Sequence, residues 1–164
     1  MRQPTIRLAT EADLRAINDI YNHYVTRSTC TYQTEPETIA DREKWFAAHG
    51  PRHPVTVAER DGQIIGWGSL SPFHRRAAYQ NSIENSIYVR HDLHKQGIGS
   101  ALLKDLIDRA RAARHHTIIA LIDASQTGSI ALHDRFGFTK VAHLKEVGNK
   151  FDRWLDVVYM QLIL

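Results

Sequence analysis

The sequence predicts a mixed α/β (α+β) fold: a strongly twisted sheet of about six to seven strands with helices on both faces. Three patterns predict it. Two strand-like runs, Val55–Glu59 and Ile64–Leu70, flank Asp61-Gly62, a hairpin signal, and a third run from Ser82 to Val89 extends them into a meander. A long amphipathic helix from Gly97 to about Arg114 puts Ile98, Ala101, Leu102, Leu106, Ile107, Ala110 and Ala113 on one face. The continuous apolar run Thr117 to Ile122 then reads as a strand covered on both sides.

The remaining elements follow in order. Ile6–Ala9 is a short first strand. Thr10-Glu11-Ala12-Asp13 starts a helix, with Thr10 as cap, Asp13 at capping-box spacing, and Leu14, Ile17, Ile20, Tyr21 and Tyr24 at helical period. A turn-rich stretch from Ser28 to Pro36 precedes a second helix, Thr38 to His49, with Ile39, Trp45 and Phe46 on its apolar face. Beyond the buried run, Ser129 to Phe136 is a short helix stopped by Gly137. Phe138 to about Val147 and Trp154 to about Leu164 complete the order β, α, α, three antiparallel strands, α, β, α, β, β.

A length of 164 residues suits one well-cored domain, 1–164, without linker, repeat or low-complexity tract. No run of about 18 apolar residues is present, which argues against a membrane partner. Met1-Arg2-Gln3-Pro4 leads straight into a strand without a signal-peptide core, so a cytoplasmic location is expected. The lone Cys30 precludes an internal disulfide and fits a reducing compartment. With no cationic neighbour in sequence, it reads as a structural thiol and not as a nucleophile. The net charge of +3 is dispersed, although Arg109, Arg111, Arg114, His115 and His116 cluster. They read first as cations complementing a helix C-terminus, and alternatively as a steering field for a polyanion. No aromatic residues are interleaved with them, which disfavours nucleic acid. Neither His115-His116 nor His91-x2-His94 has the carboxylate or thiol companions of a metal site, so no metal is expected.

The chemistry concentrates where Ile87-Tyr88-Val89 runs through a polar turn into His94-Lys95-Gln96-Gly97-Ile98-Gly99-Ser100-Ala101. A strand, a glycine-rich turn and a helix start aim several N–H groups and a positive dipole end at one spot, which suits a phosphate or pyrophosphate. A plain tight turn is the alternative. A Walker loop would need Gly-x4-Gly-Lys-Ser/Thr, and a dinucleotide fingerprint a third small residue where Leu102 stands. Another phosphate carrier is implied.

Further residues in register with this motif are Ile20-Tyr21-Asn22-His23-Tyr24, Ala78-Tyr79, Glu84, Ser86-Ile87-Tyr88-Val89, Ser129-Ile130-Ala131-Leu132-His133, Gly137-Phe138, Gly148, Lys150-Phe151, Arg153-Trp154-Leu155-Asp156 and Gln161. Over essentially the whole chain these residues resemble the GNAT superfamily of N-acetyltransferases, and more closely its phosphinothricin and methionine sulfoximine acetyltransferase branch. Two positions depart from the pattern: His94 stands where the superfamily has Gln or Arg, and Gln126 where the branch has Asn. Both substitutes still form hydrogen bonds.

The resemblance implies acetyl-CoA as the phosphate carrier and a central strand pair that splays to admit its thioester. It places the pyrophosphate on N–H groups from Gln96 to Ala101, with His94, Lys95, Gln126 and Ser129 nearby. The pantetheine arm would pair with Ile87-Tyr88-Val89 as an added strand, and the Val89 N–H would hold the developing oxyanion. Glu84 is the implied general base, because an alkyl ammonium must lose a proton before it attacks; a surface carboxylate opposite a cation is its alternative. His133 stands where many GNAT enzymes keep a tyrosine that protonates the departing thiolate, with a core-satisfied histidine as the rival reading. Arg76 and Tyr79, on the segment entering the catalytic strand, would receive the acid group of the acceptor, with Ser86 in the same cleft and Tyr32 as an apolar wall; Arg76 otherwise reads as a solvated loop residue. The Lys150–Trp154 tail would shape the pocket or a homodimer contact.

The implied function is direct transfer of acetyl from acetyl-CoA to the amino group of a small acceptor of the phosphinothricin, methionine sulfoximine or methionine sulfone type. Acetylation of a protein N-terminus or lysine is a second possibility, and an idle acetyl-CoA sensor a third. Retention of Glu84 argues against the sensor, and Arg76 argues for a closed, anion-accepting pocket.

Overall fold

A computed structural model describes residues 3–164. Its strands are β1 (Thr5–Leu8), β2 (Val55–Arg60), β3 (Gln63–Pro72), β4 (Ser82–Val89), β5 (Thr117–Asp123), β6 (Thr139–Lys150) and β7 (Arg153–Ile163), in sheet order β1-β2-β3-β4-β5-β7-β6. Helices α1 (Leu14–Arg27) and α2 (Ile39–Ala47) lie on one face, and α3 (Ile98–Ala112) and α4 (Thr127–Arg135) on the other. Element order and fold class are those the sequence predicts.

Local chemistry explains the boundaries. Asp13 accepts from the Thr10 N–H at 2.8 Å, as its spacing predicts, and also from both terminal nitrogens of Arg7. Thr38 and Asp41 form a second capping box that starts α2. Asp61 and Gly62 both have positive φ, +51° and +74°, the geometry of a two-residue hairpin turn whose twist matches its strands. Helix α2 ends at Ala47, short of the expected His49, because His49 already turns the chain toward the tight Gly50–His53 bridge before β2.

Alternation along β4 sends Ile83, Asn85 and Ile87 toward α3 and α4, and Glu84, Ser86 and Tyr88 toward the α1 and α2 face. The α3/α4 core gathers Leu70, Ile83, Leu103, Leu106, Ile118 and Phe138; the α1/α2 core gathers Leu14, Ile17, Tyr24, Val57 and Trp67. The run Thr117–Ile122 is buried on both faces, as expected, except at Leu121, which is exposed on the α1/α2 side.

The sheet parts in its middle. Strands β4 and β5 pair in parallel only through Ser82–Thr117, Ile83–Ile118 and Glu84–Ile119. Beyond Glu84, β4 stays with β3 as far as Val89–Gly66, and β5 stays with β7 as far as Asp123–Val157. The two half-sheets leave a slot between them, in line with the start of α3.

Candidate active site

At the mouth of the slot, Gly97 caps α3 with φ +80°, and Lys95 has φ +62°. A Cβ on Gly97 would meet no atom within 4 Å, so this glycine is required by its backbone conformation and not by protein packing. The first helical back-bond of α3 runs from the Ala101 N–H to the Gly97 oxygen at 3.0 Å. The N–H groups of Ile98, Gly99 and Ser100 therefore have no helical acceptor and, with the dipole, form an anion cradle. Ala101, expected among them, is corrected: its N–H is already engaged.

The side chains around the turn are tied down. Tyr24 Oη has one proton, and the Val89 carbonyl 2.5 Å away can only accept it, so His94 Nε2, 2.6 Å from the same oxygen, donates to Tyr24. His94 thus anchors the turn to α1 through Nε2. Gln96 Oε1 accepts from Arg60 at 2.8 Å, whereas Lys95 is exposed.

Along the slot, the Arg90 N–H bonds to the Ile65 oxygen at 2.9 Å. In an antiparallel pair the bonds alternate, so Tyr88 and Ser86 exchange theirs with Trp67 and Ser69, while the main-chain groups of Ile87 and Val89 turn toward the side that β5 has left. The Val89 carbonyl is taken by Tyr24 and its N–H faces the slot. Tyr88 is a correction. Its backbone is spent on β3, and its ring packs 5.2 Å from Tyr21 and 4.9 Å from Trp67, so it belongs to the core and not to a coenzyme surface.

On the opposite face, Glu84 occupies the last pair before the strands part. It is half-buried, no cation pairs with it among the described residues, and burial alone raises its carboxyl above the ordinary range. The surface ion pair considered as its alternative is therefore absent. Ser86 shares its face, and the uncovered Leu121 lies across the gap. Arg76 and Tyr79 are exposed on the loop leading into β4; Tyr79 leans on Phe73 and His74, and the Arg76 guanidinium has no side-chain partner among the described residues. Tyr32 lies on the far side of the slot, where its hydroxyl bonds to Asp123 and to the Asp156 carbonyl, both at 3.0 Å. Gly148 admits that ring: a Cβ there would fall 2.5 Å from Tyr32 Cε2.

His133 does not project into the cleft. It is 4% exposed, stands edge-on to Phe138, and uses both ring nitrogens, Nδ1 on the Ser129 carbonyl at 2.8 Å and Nε2 on Asn85 at 3.0 Å. Burial lowers its affinity for a second proton. The core-satisfied reading fits this geometry. Gln126 caps α4 and donates to Thr29 at 3.3 Å, joining α4 to the loop after α1.

Two residues escape the sequence reading, and Lys150, expected there only as part of the tail, gains a definite role: it is 4% exposed and donates to the Ser28 and Thr31 carbonyls, both at 2.7 Å, pinning the loop over the cleft. Arg42, fully buried, is caged by Tyr21, Trp45 and Trp67 and pairs with Glu37 at 2.6 Å. Asn85 interrupts an otherwise apolar strand face, the one signal in sequence that marks it. The basic cluster takes the first of its two readings: Arg109 and Arg111 lie in the last turn of α3, about 16–20 Å along the helix from its first residue. A cleft of about 1120 Å³ between β1, α2 and the end of α3 contains none of the predicted site residues.

The acetyltransferase (GNAT) domain family matches residues 6–159. The chain belongs to the GNAT acetyltransferase family. It is an acetyl-CoA-dependent N-acetyltransferase of the methionine sulfoximine and phosphinothricin branch. It is 38% identical over 162 residues to the L-methionine sulfoximine/L-methionine sulfone acetyltransferase of Pseudomonas paraeruginosa, covering 98% of this chain and 94% of that one. A phosphinothricin acetyltransferase from Sinorhizobium meliloti, solved with acetyl-CoA, superposes with a TM-score of 0.96 at 37% identity, covering 99% of this chain and 89% of the other. The ribosomal-protein-alanine N-acetyltransferase of Brucella melitensis superposes at 0.95 with 42% identity, covering 98% and 99%. Across this GNAT sheet the cradle, the slot and the half-buried Glu84 fit acetyl-CoA: an anion seat at one end, unpaired strand N–H groups beside it, and a carboxylate at the apex.

Proposed function

We propose that this GNAT enzyme acetylates the amino group of a small amino-acid-like acceptor of the phosphinothricin, methionine sulfoximine or methionine sulfone kind. The observation that carries the reading is the parting of the sheet at Glu84–Ile119, with an unpaired, half-buried carboxylate on one face and an N–H cradle on the α3 side. Acetyl-CoA, when bound, supplies a thioester acyl group activated toward an amine. The N–H groups of Ile98, Gly99 and Ser100 hold its pyrophosphate, with Lys95 and Gln126 at the rim. Ile87 and Val89 offer strand-like bonds to its arm, and the Val89 N–H donates to the carbonyl oxygen on which negative charge builds. Glu84 takes the proton from the ammonium of the acceptor, directly or through one water. Arg76 and Tyr79 receive the acid group of the acceptor, while Ser86 and Tyr32 bound its volume.

Residues 1–164 act as one domain in this reading, in the cytoplasm and as a homodimer. Exposed Val147, Phe151 and Trp154 on the β6–β7 hairpin support the dimer, and sedimentation equilibrium tests it. A second reading, acetylation of a protein N-terminus, has specific support in the likeness to the Brucella melitensis enzyme. A thiol-release assay over the three small amines and an alanine-starting peptide separates these readings. Release with the small amines is expected; release with the peptide alone overturns the proposal. Coenzyme binding without release on any of the four would identify the idle sensor.

A further inference from the structure

Asn85 is 6% exposed on the α3/α4 side of β4, between Ile83 and Ile87, where an apolar residue would pack without penalty. Its orientation is fixed by its neighbour. A carbonyl oxygen only accepts, so the His133 nitrogen facing Ser129, Nδ1, carries the proton. Asn85 Nδ2 faces the other ring nitrogen, Nε2, at 3.0 Å; burial disfavours a second proton on that ring, so Nε2 accepts and the Asn85 NH₂ donates. The carboxamide oxygen is thereby turned to the other side, and it is buried with no donor among the described residues. A buried oxygen left without a donor costs free energy that a leucine of similar shape would not incur. Asn85 is also the first residue of β4 beyond the last pair with β5, so it stands at the apex of the slot on the side opposite Glu84.

We propose that Asn85 is a coenzyme-binding residue whose carboxamide oxygen, aimed by His133, accepts a hydrogen bond from an amide N–H of the pantetheine arm. The arm is the part of acetyl-CoA that carries N–H donors along the slot; the thioester has none, and the phosphates belong at the α3 cradle. His133 is then a positioning residue, acting through Asn85. This inference rests on the reading that the arm lies along β4.

Calorimetric titration separates the two. Wild-type protein is titrated with CoA and with its nucleotide half, adenosine 3′-phosphate 5′-diphosphate, which lacks the arm. Asn85→Leu is expected to weaken CoA about tenfold, the loss of one hydrogen bond, and to leave the nucleotide half unchanged. His133→Phe, which frees the amide to turn, is expected to weaken CoA in the same direction and to add little to Asn85→Leu in the double variant. Unchanged CoA affinity in Asn85→Leu overturns the proposal, and so does an equal loss for both ligands. Wild-type protein that binds neither ligand overturns instead the acetyl-CoA reading beneath it. Should the leucine variant fail to fold, labelled wild-type protein still decides: the Asn85 carboxamide carbon resonance should move with CoA and stay with the nucleotide half. A resonance that responds to neither, while the Gly99 amide shifts with both, refutes the contact.

Discussion

Glu84 owes its character to what is missing around it. Burial raises its carboxyl and no cation offsets that rise, so it is both a stronger base and, on the acid side, a group that protonates early. The sign follows directly. Rate should fall as pH drops through the raised carboxyl range, and Glu84→Gln should remove that limb while costing about 10²–10⁴-fold near neutrality. The deficit should shrink at high pH, where free amine is abundant; a variant whose pH–rate profile matches wild type would take Glu84 out of the base role. Arg76 offers a contrasting case, an exposed guanidinium on the loop before β4 without a side-chain partner among the described residues. Arg76→Ala should raise KM for the acceptor about tenfold with little change for acetyl-CoA, and equal effects on both would remove it from the acceptor pocket. Lys150 acts by structure alone. Its ammonium satisfies two loop carbonyls from a buried position, so Lys150→Met should cost about 2 kcal/mol, measured by urea unfolding, and loosen residues 28–31. Its role could not be read from sequence, because partners 119 and 122 positions away leave no local pattern.

At the scale of elements, legibility follows how local the determinants are. Strand β4 runs from Ser82 to Val89 as its pattern predicts, and Gly97 and Gly137 mark the start of α3 and the end of α4 as their left-handed φ requires. Strand β6 instead continues through Gly148-Asn149-Lys150 to a two-residue turn at Phe151-Asp152, both at positive φ, which no glycine announces. The sequence reading stops it at Val147 because a polar, glycine-containing triplet looks like a loop. Pairing with Trp154 and Arg153 holds the triplet extended. The α3 turn supplies a prediction of its own. Gly97→Ala forces a Cβ into a left-handed conformation at a cost of about 1 kcal/mol, a loss of roughly 2–4 °C in Tm for a chain of this size. Since a Cβ there meets no protein atom, a larger drop in Tm would show that Gly97 also packs, whereas weakened CoA binding beyond that strain would place the ligand against it.

At the scale of the molecule, the parted sheet links fold to chemistry. The predicted order of elements cannot reveal the parting, since β4 and β5 look like ordinary neighbours; the resemblance to GNAT proteins implied it, and the ladder ending at Glu84–Ile119 locates it. Half-sheet β1–β4 and half-sheet β5–β7 each keep their own ladders, so the slot costs only the bonds along its two inner edges. Those edges make different predictions for individual amides. Ser86 and Tyr88 bond inward to β3 and should exchange slowly with deuterium whether or not acetyl-CoA is present. Ile87 and Val89 turn toward the slot and should exchange fast in the free protein. If the arm of the coenzyme adds to β4 as a strand, saturating acetyl-CoA should slow Ile87 and Val89 selectively, while the nucleotide half alone slows only the cradle from Ile98 to Ser100. Equal protection of all four β4 amides would mean that the half-sheets close on one another, and fast exchange at Ile87 and Val89 in the loaded protein would mean that the arm does not run along this edge.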